Sequence, residues 1–241
     1  MIGSASLVPA IATCLAALAA PLAASAEVVL RDDFSNNAEG GIDGVEPDVG
    51  IPGQTWQTQP DGSGAVIEDG ELTSAGGRQN ARFNIASKLT PGSRVVIEAT
   101  VDVIGKSHAW IGLASKDQEG SIREFGDTDV LWGLFDNGST TFGTNHPERD
   151  WTTKEVFYND FAKPLEPTGP ISVTLTYDLV TGEAAARGEF PTAEGTSVAS
   201  WRGNVRPTGG QDLFPPDELR YVFLESDGEA SFESVTVRIE N

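Results

Sequence analysis

A chain of 241 residues with 36 acidic and 16 basic side chains carries a formal charge of −20. Such a field repels nucleic acid and anionic lipid, and it disfavours polyanionic glycans unless a basic patch or a metal ion intervenes. The single cysteine, Cys14, lies near the start, which excludes disulfide and thiolate chemistry from everything that follows it.

Residues 1–26 are uncharged, rich in Ala and Leu, and end in Ala24-Ser25-Ala26, the small-x-small pattern of a signal peptidase site. The basic residues that ordinarily open such a segment are missing. Pro21 and the short, Ala-rich apolar run argue against a retained anchor. We therefore expect a signal peptide over 1–26 and a secreted protein, extracellular or periplasmic. Residues 27–241 would form one domain, with no membrane span in the mature chain. An all-β sandwich of this length buries enough apolar surface to stand alone.

The first strand signal lies in "LRDDFSN" (Leu30 to Asn36). Asp32 and Asp33 beside it could supply a structural Ca²⁺. "GVEPDVGIPGQTW" follows (Gly44 to Trp56). Its prolines fix φ and its glycines allow tight bends, so it reads as a loop returned to the core by Trp56. Glu46 and Asp48 have Pro47 between them, which suits loop chemistry better than half an active site.

Period-two alternation then dominates. In "RVVIEATVDV", Val95, Ile97, Ala99, Val101 and Val103 share one face. In "ISVTLTYD", Ile171, Val173, Leu175 and Tyr177 do. "SFESVTVRIE" alternates with one slip. "AWIGLAS" (Ala109 to Ser115) and "VLWGLF" (Val130 to Phe135) are apolar on both faces and read as central strands. Their alternation puts Trp110 with Gly112 and Ala114, opposite Ile111 and Leu113. Turn signals fall at Asp69-Gly70, Pro91-Gly92, Asn137-Gly138, Thr181-Gly182 and Asp227-Gly228. "VIEDGEL" and "FDNGSTTF" read as hairpins, and "KEVFYNDF" (Lys154 to Phe161) as one or two helical turns. Many short strands at this spacing give an all-β sandwich or barrel.

The order of these pieces resembles the concanavalin A-like (laminin G-like) jelly roll of secreted bacterial proteins, over about residues 29–241. The resemblance rests on "LRDDFSN", Trp56, "VIEDGELT", "LTPGSRVVIEATVDV", "AWIGLAS", "VLWGLFDNG", "VTLTYDLVTGEAAA" and the closing "ASFESVTVRIEN". It implies an antiparallel two-sheet jelly-roll β-sandwich that works as a glycan-binding or surface module. Some relatives are glycosidases or polysaccharide lyases. The glucanase branch carries a Glu-x-Asp-x-x-Glu strand, and no run of that spacing occurs here. The Arg-rich and Gln-x-His motifs of the alginate-lyase branch are also missing.

Glycosidic cleavage needs two carboxyl groups about 5.5 Å apart or about 6.5–9.5 Å apart. Glu98 and Asp102 share a strand face, but at about 13 Å they suit neither mechanism. Asp127, Asp129 and Glu124 could ligate Ca²⁺, which takes hard oxygens, or they are solvated loop acids. "TNHPERDW" (Thr144 to Trp151) offers an aromatic face beside fork-like polar groups, the chemistry that reads sugar hydroxyls. Trp151, Arg149, His146 and Trp110 are therefore the expected carbohydrate contacts, against edge packing for Trp151 and core packing for Trp110. The leading expectation is a non-catalytic module for a polysaccharide or glycoconjugate. The alternatives are a glycoside hydrolase or lyase, and a structural extracellular protein whose tryptophans are all buried.

Overall fold

The computed structural model describes residues 26–58, 64–74, 77, 79–114, 128–134, 140–145, 157–159, 167–204 and 220–241. They form thirteen strands: β1 (Glu27–Asp32), β2 (Gly40–Gly41), β3 (Val66–Glu68), β4 (Glu71–Thr73), β5 (Gln79–Asn84), β6 (Arg94–Ala114), β7 (Thr128–Leu134), β8 (Thr140–Asn145), β9 (Phe157–Asn159), β10 (Ile171–Asp178), β11 (Glu183–Thr192), β12 (Gly195–Asn204) and β13 (Tyr221–Glu240). All their pairings are antiparallel.

Two long strands organise the rest. The first half of β6 and the second half of β13 pair with each other. That ladder runs on through β10, β11 and β12 on one side, and through β1 and the short β4, β3 and β2 on the other. The second half of β6 and the first half of β13 belong to a second layer, in the order β5-β13-β6-β7-β8-β9. Strands that pass between layers through bends and bulges make such corners. Both bends show in the register, which shifts between Asp227 and Glu229 opposite the stretch from Ile104 to His108.

One apolar cluster lies between the layers. Val95, Ile97, Ala99 and Val101 reach it from the first half of β6, and Ala109, Ile111 and Leu113 from the second. Ile171, Val173, Leu175 and Tyr177 join from β10, with Val235, Val237 and Ile239 from β13. The alternation in the sequence is thus the pleat of half-buried strands. The slip in "SFESVTVRIE" is a bulge, with the register shifting between Phe232 and Ser234.

Local signals behave as their φ angles dictate. Asp69 and Gly70 have φ of 53° and 79°, so both central residues of the β3–β4 turn are left-handed, the geometry a two-residue hairpin loop requires. In the β10–β11 turn, Asp178 Oδ1 accepts the N–H groups of Val180 (2.9 Å) and Thr181 (2.7 Å). Three expectations need correction. The two apolar runs around residues 95–114 are one strand, not two. Asp227-Gly228 is not a turn between strands but a bulge inside β13, with Gly228 at φ 74°. Phe157–Asn159 is strand rather than helix; a Phe-Tyr pair fits the pleat and finds its ladder partner in β8.

The Gly44–Trp56 loop is pinned to β1. Arg31 and Val49 exchange backbone hydrogen bonds at 2.8 and 2.9 Å, and Trp56 N–H donates to Val45 C=O at 2.8 Å. Trp56 is fully buried, its ring 5.7 Å from that of Phe83 and edge-on to it. Asp48 accepts from Asp33 N–H and from the Asn36 side-chain amide, both at 3.2 Å. These bonds of Asp48 tie the loop to the end of β1.

Candidate functional site

Each half-strand of the second layer sends its odd and even residues to opposite faces. One face feeds the core. The other gathers Asn80, Arg82 and Asn84 from β5, Tyr221, Phe223, Glu225 and Asp227 from β13, His108, Trp110, Gly112 and Ala114 from β6, and Gly133 from β7. The register sets them in ranks: Asn84–Tyr221–Ala114, Arg82–Phe223–Gly112, Asn80–Glu225–Trp110–Gly133, and Asp227–His108.

Contacts follow the ranks. Trp110, Ala114, Tyr221 and Phe223 form an apolar cluster separate from the main core. The Trp110 indole lies so close over Gly133 that a Cβ there would sit 2.3 Å from its Cδ1. The His108 ring packs 5.3 Å from the Trp110 ring, and the Arg82 guanidinium lies 4.9 Å from the centre of the Tyr221 ring. Trp110 is 2% exposed and Glu225 1%. The His108–Asp227 pair, Nδ1 to Oδ2 at 3.6 Å, is the partly exposed rim.

The face is thus an aromatic floor with a buried carboxylate, an amide, a guanidinium and an imidazole–carboxylate pair around it. Glu225 and Asp227 are two residues apart on one strand and project to the same side, about 6.6 Å apart along the backbone. Two carboxylates on one strand face are the kind of pair that glycosidic cleavage employs. The sequence carries this signal as Glu225-Ser226-Asp227-Gly228-Glu229. A search for the longer Glu-x-Asp-x-x-Glu spacing passes over it, and so does a reading of Asp227-Gly228 as a turn. Glu229 lies past the bulge and is exposed, its N–H donating to Ser107 Oγ at 2.7 Å.

Of the expected contacts, Trp110 is at the centre of this face. Trp151, Arg149 and His146 lie outside the described residues, as do Glu124 and Asp127 among the expected metal ligands. The backbone of Asp129 falls in β7. Trp56, Trp110 and Trp201 are all buried. Among the described residues no group of three His, Cys, Asp or Glu side chains is placed to hold a metal. Asp32 is fully buried, and N–H donors fill its carboxylate: Phe34 N–H at 2.9 Å, Trp56 Nε1–H at 2.7 Å and the Asn37 amide at 3.1 Å. Burial raises its pKa above the usual 3.8, partly offset by the Trp56, Phe34 and Asn37 bonds.

Solved structures share this fold. Lectin I from Ulex europaeus, in complex with the methyl glycoside of α-L-fucose, superposes with a TM-score of 0.52 at 11% identity, covering 89% of this chain and 98% of the lectin. The endo-1,3-β-glucanase from Streptomyces sioyaensis gives 0.50 at 11%, covering 90% and 97%. SCLam, a non-specific endo-β-1,3(4)-glucanase from family GH16, gives 0.50 at 12%, covering 88% and 91%. The fold is the concanavalin A-like jelly-roll β-sandwich. At these identities the likeness is one of fold. No family model matches the sequence, and no curated protein matches it significantly.

Proposed function

We propose that the outer face of the second layer binds carbohydrate, and that the protein is a secreted, non-catalytic module for a polysaccharide or glycoconjugate. The observation that carries the reading is the partly exposed His108–Asp227 pair (22% and 28%) set against Trp110, on the sheet face turned away from the core. A sugar is read by directional polar groups, and this rim offers an imidazole and a carboxylate, with the buried Trp110 ring behind them. The fold relatives add support, since one is a lectin and two are β-glucanases. Trp151, Arg149 and His146 are the proposed loop contacts. Glu124, Asp127 and Asp129 are the proposed ligands should a structural Ca²⁺ contribute.

A second reading has its own observation. Glu225 and Asp227 put two carboxylates on one face of β13, the pairing a glycosidase employs, so a glycoside hydrolase is the alternative. One experiment separates the two. The protein is titrated against plant, algal and bacterial polysaccharides with calcium present, and reducing-end release is followed on every glycan that binds. Binding without turnover, lost on His108→Ala, supports the module. Turnover abolished by Glu225→Gln or Asp227→Asn makes it an enzyme. A blank across the panel removes both readings and leaves a structural or protein-binding domain.

A further inference from the structure

Strand β12 ends one side of the first layer, and among the described residues β11 alone pairs with it. It is ten residues long, and Gly195–Asn204 contains no proline, no lysine and a single charge, Arg202. Natural edge strands are usually blunted by such residues, because a bare row of N–H and C=O groups templates another strand. Ala199 and Trp201 turn inward to the core, while Thr196, Val198, Ser200 and Arg202 face solvent. Val198, in the middle, is 51% exposed. In a chain of net charge −20, this edge is close to neutral.

We propose that β12 is a self-association edge, pairing antiparallel with β12 of a second copy across a two-fold axis at Val198. Around that axis each residue meets the one equally far on the other side. Val198 then faces the partner's Val198, Ser200 faces the partner's Thr196, and Arg202 faces the partner's Glu194. Symmetry gives the last two pairs twice, as a two-fold interface demands. The β12 side chains among these lie on the solvent face, where cross-strand pairs of opposite charge and of β-branched residues are favourable, and Glu194 is exposed in the β11–β12 turn, one residue before the strand begins. Moving the axis by one residue would set Arg202 against Thr196 and Val198 against Ser200, so the charge match selects the register. Arg202 is 72% exposed in its ion pair with Glu183, and a guanidinium has five donors, enough to serve a second carboxylate.

One strand edge buries little area, which places the association in the weak range, with a dissociation constant on the order of 100 µM. Two chains of −20 repel each other at low salt, and screening relieves that. The inference is independent of the saccharide reading. Sedimentation velocity on the purified protein, from about 5 to about 500 µM in about 0.5 M NaCl, tests it. The expected result is a monomer–dimer equilibrium, abolished by Val198→Glu, which sets two like charges on the axis. Arg202→Glu should weaken it at least tenfold, and the double change Arg202→Glu with Glu194→Arg should restore it. A monomer throughout the range overturns the proposal. So does a dimer indifferent to Val198→Glu, or one that the charge exchange fails to rescue.

Discussion

The indole N–H of Trp56 donates to Asp32 Oδ2 at 2.7 Å, joining the end of β1 to the far side of a loop 24 residues later, both groups buried. The bond closes the Gly44–Trp56 loop over the core, and it gives Asp32 the third of three donors. Trp56→Phe keeps an aromatic plug between Phe34 and Phe83 but leaves a buried carboxylate short of a partner. A loss of about 1–3 kcal/mol is expected in urea denaturation, since an unsatisfied buried group costs its desolvation. An unchanged midpoint would mean the bond contributes nothing net.

Gly133→Ala probes the candidate face from beneath the Trp110 ring. The new methyl would meet the Trp110 ring at 2.3 Å from Cδ1 and 2.5 Å from Nε1, so the indole must move. Overpacking of this kind costs about 1–3 kcal/mol. Near-UV circular dichroism should change, and glycan affinity should fall if this face binds. A variant with native spectrum and stability would show that β7 yields instead.

Gly228→Ala tests the bulge. At φ 74°, a Cβ costs about 1–2 kcal/mol. The strain sits between Asp227 and Glu229, so we expect binding or turnover to suffer beyond what the loss of stability explains. A loss of stability with binding unchanged in the folded protein would separate the bulge from the site.

Asp178 gives a pH dependence of stability. Burial alone would raise its pKa, but hydrogen bonds from Thr181 and Val180 outweigh it, and the carboxyl titrates below 3.8 in the folded state. A depressed pKa means stability that is present above the unfolded value and lost as pH falls through the folded one. Asp178→Asn should therefore lower stability at pH 7, and the difference from wild type should shrink towards pH 2. A difference constant from pH 7 to pH 2 would contradict this.

The sequence showed the pleat more readily than the layers. Alternation placed Val95, Ile97 and Ala99 on the core face, and put Trp110 with Gly112 and Ala114 opposite Ile111 and Leu113, because the period of two is local. Asp69-Gly70 and Asp227-Gly228 look alike for a physical reason. Each supplies a left-handed glycine, and only the cross-strand partner decides between a turn and a bulge. For Gly228 that partner is β6, where Ser107 receives Glu229 N–H. The same ambiguity hid the Glu225–Asp227 pair, whose shared face exists only once β13 is continuous. Gly133 as the seat of Trp110 was likewise invisible, since it arrives from a different strand.

The continuity of β6 and β13 also bears on how the molecule comes apart. Neither layer owns a complete set of strands, so neither can melt while the other keeps its hydrogen bonds. Amide exchange at Ile97 and Val237 in the first layer should match that at Ile111 and Leu224 in the second, all through a single opening of the whole domain.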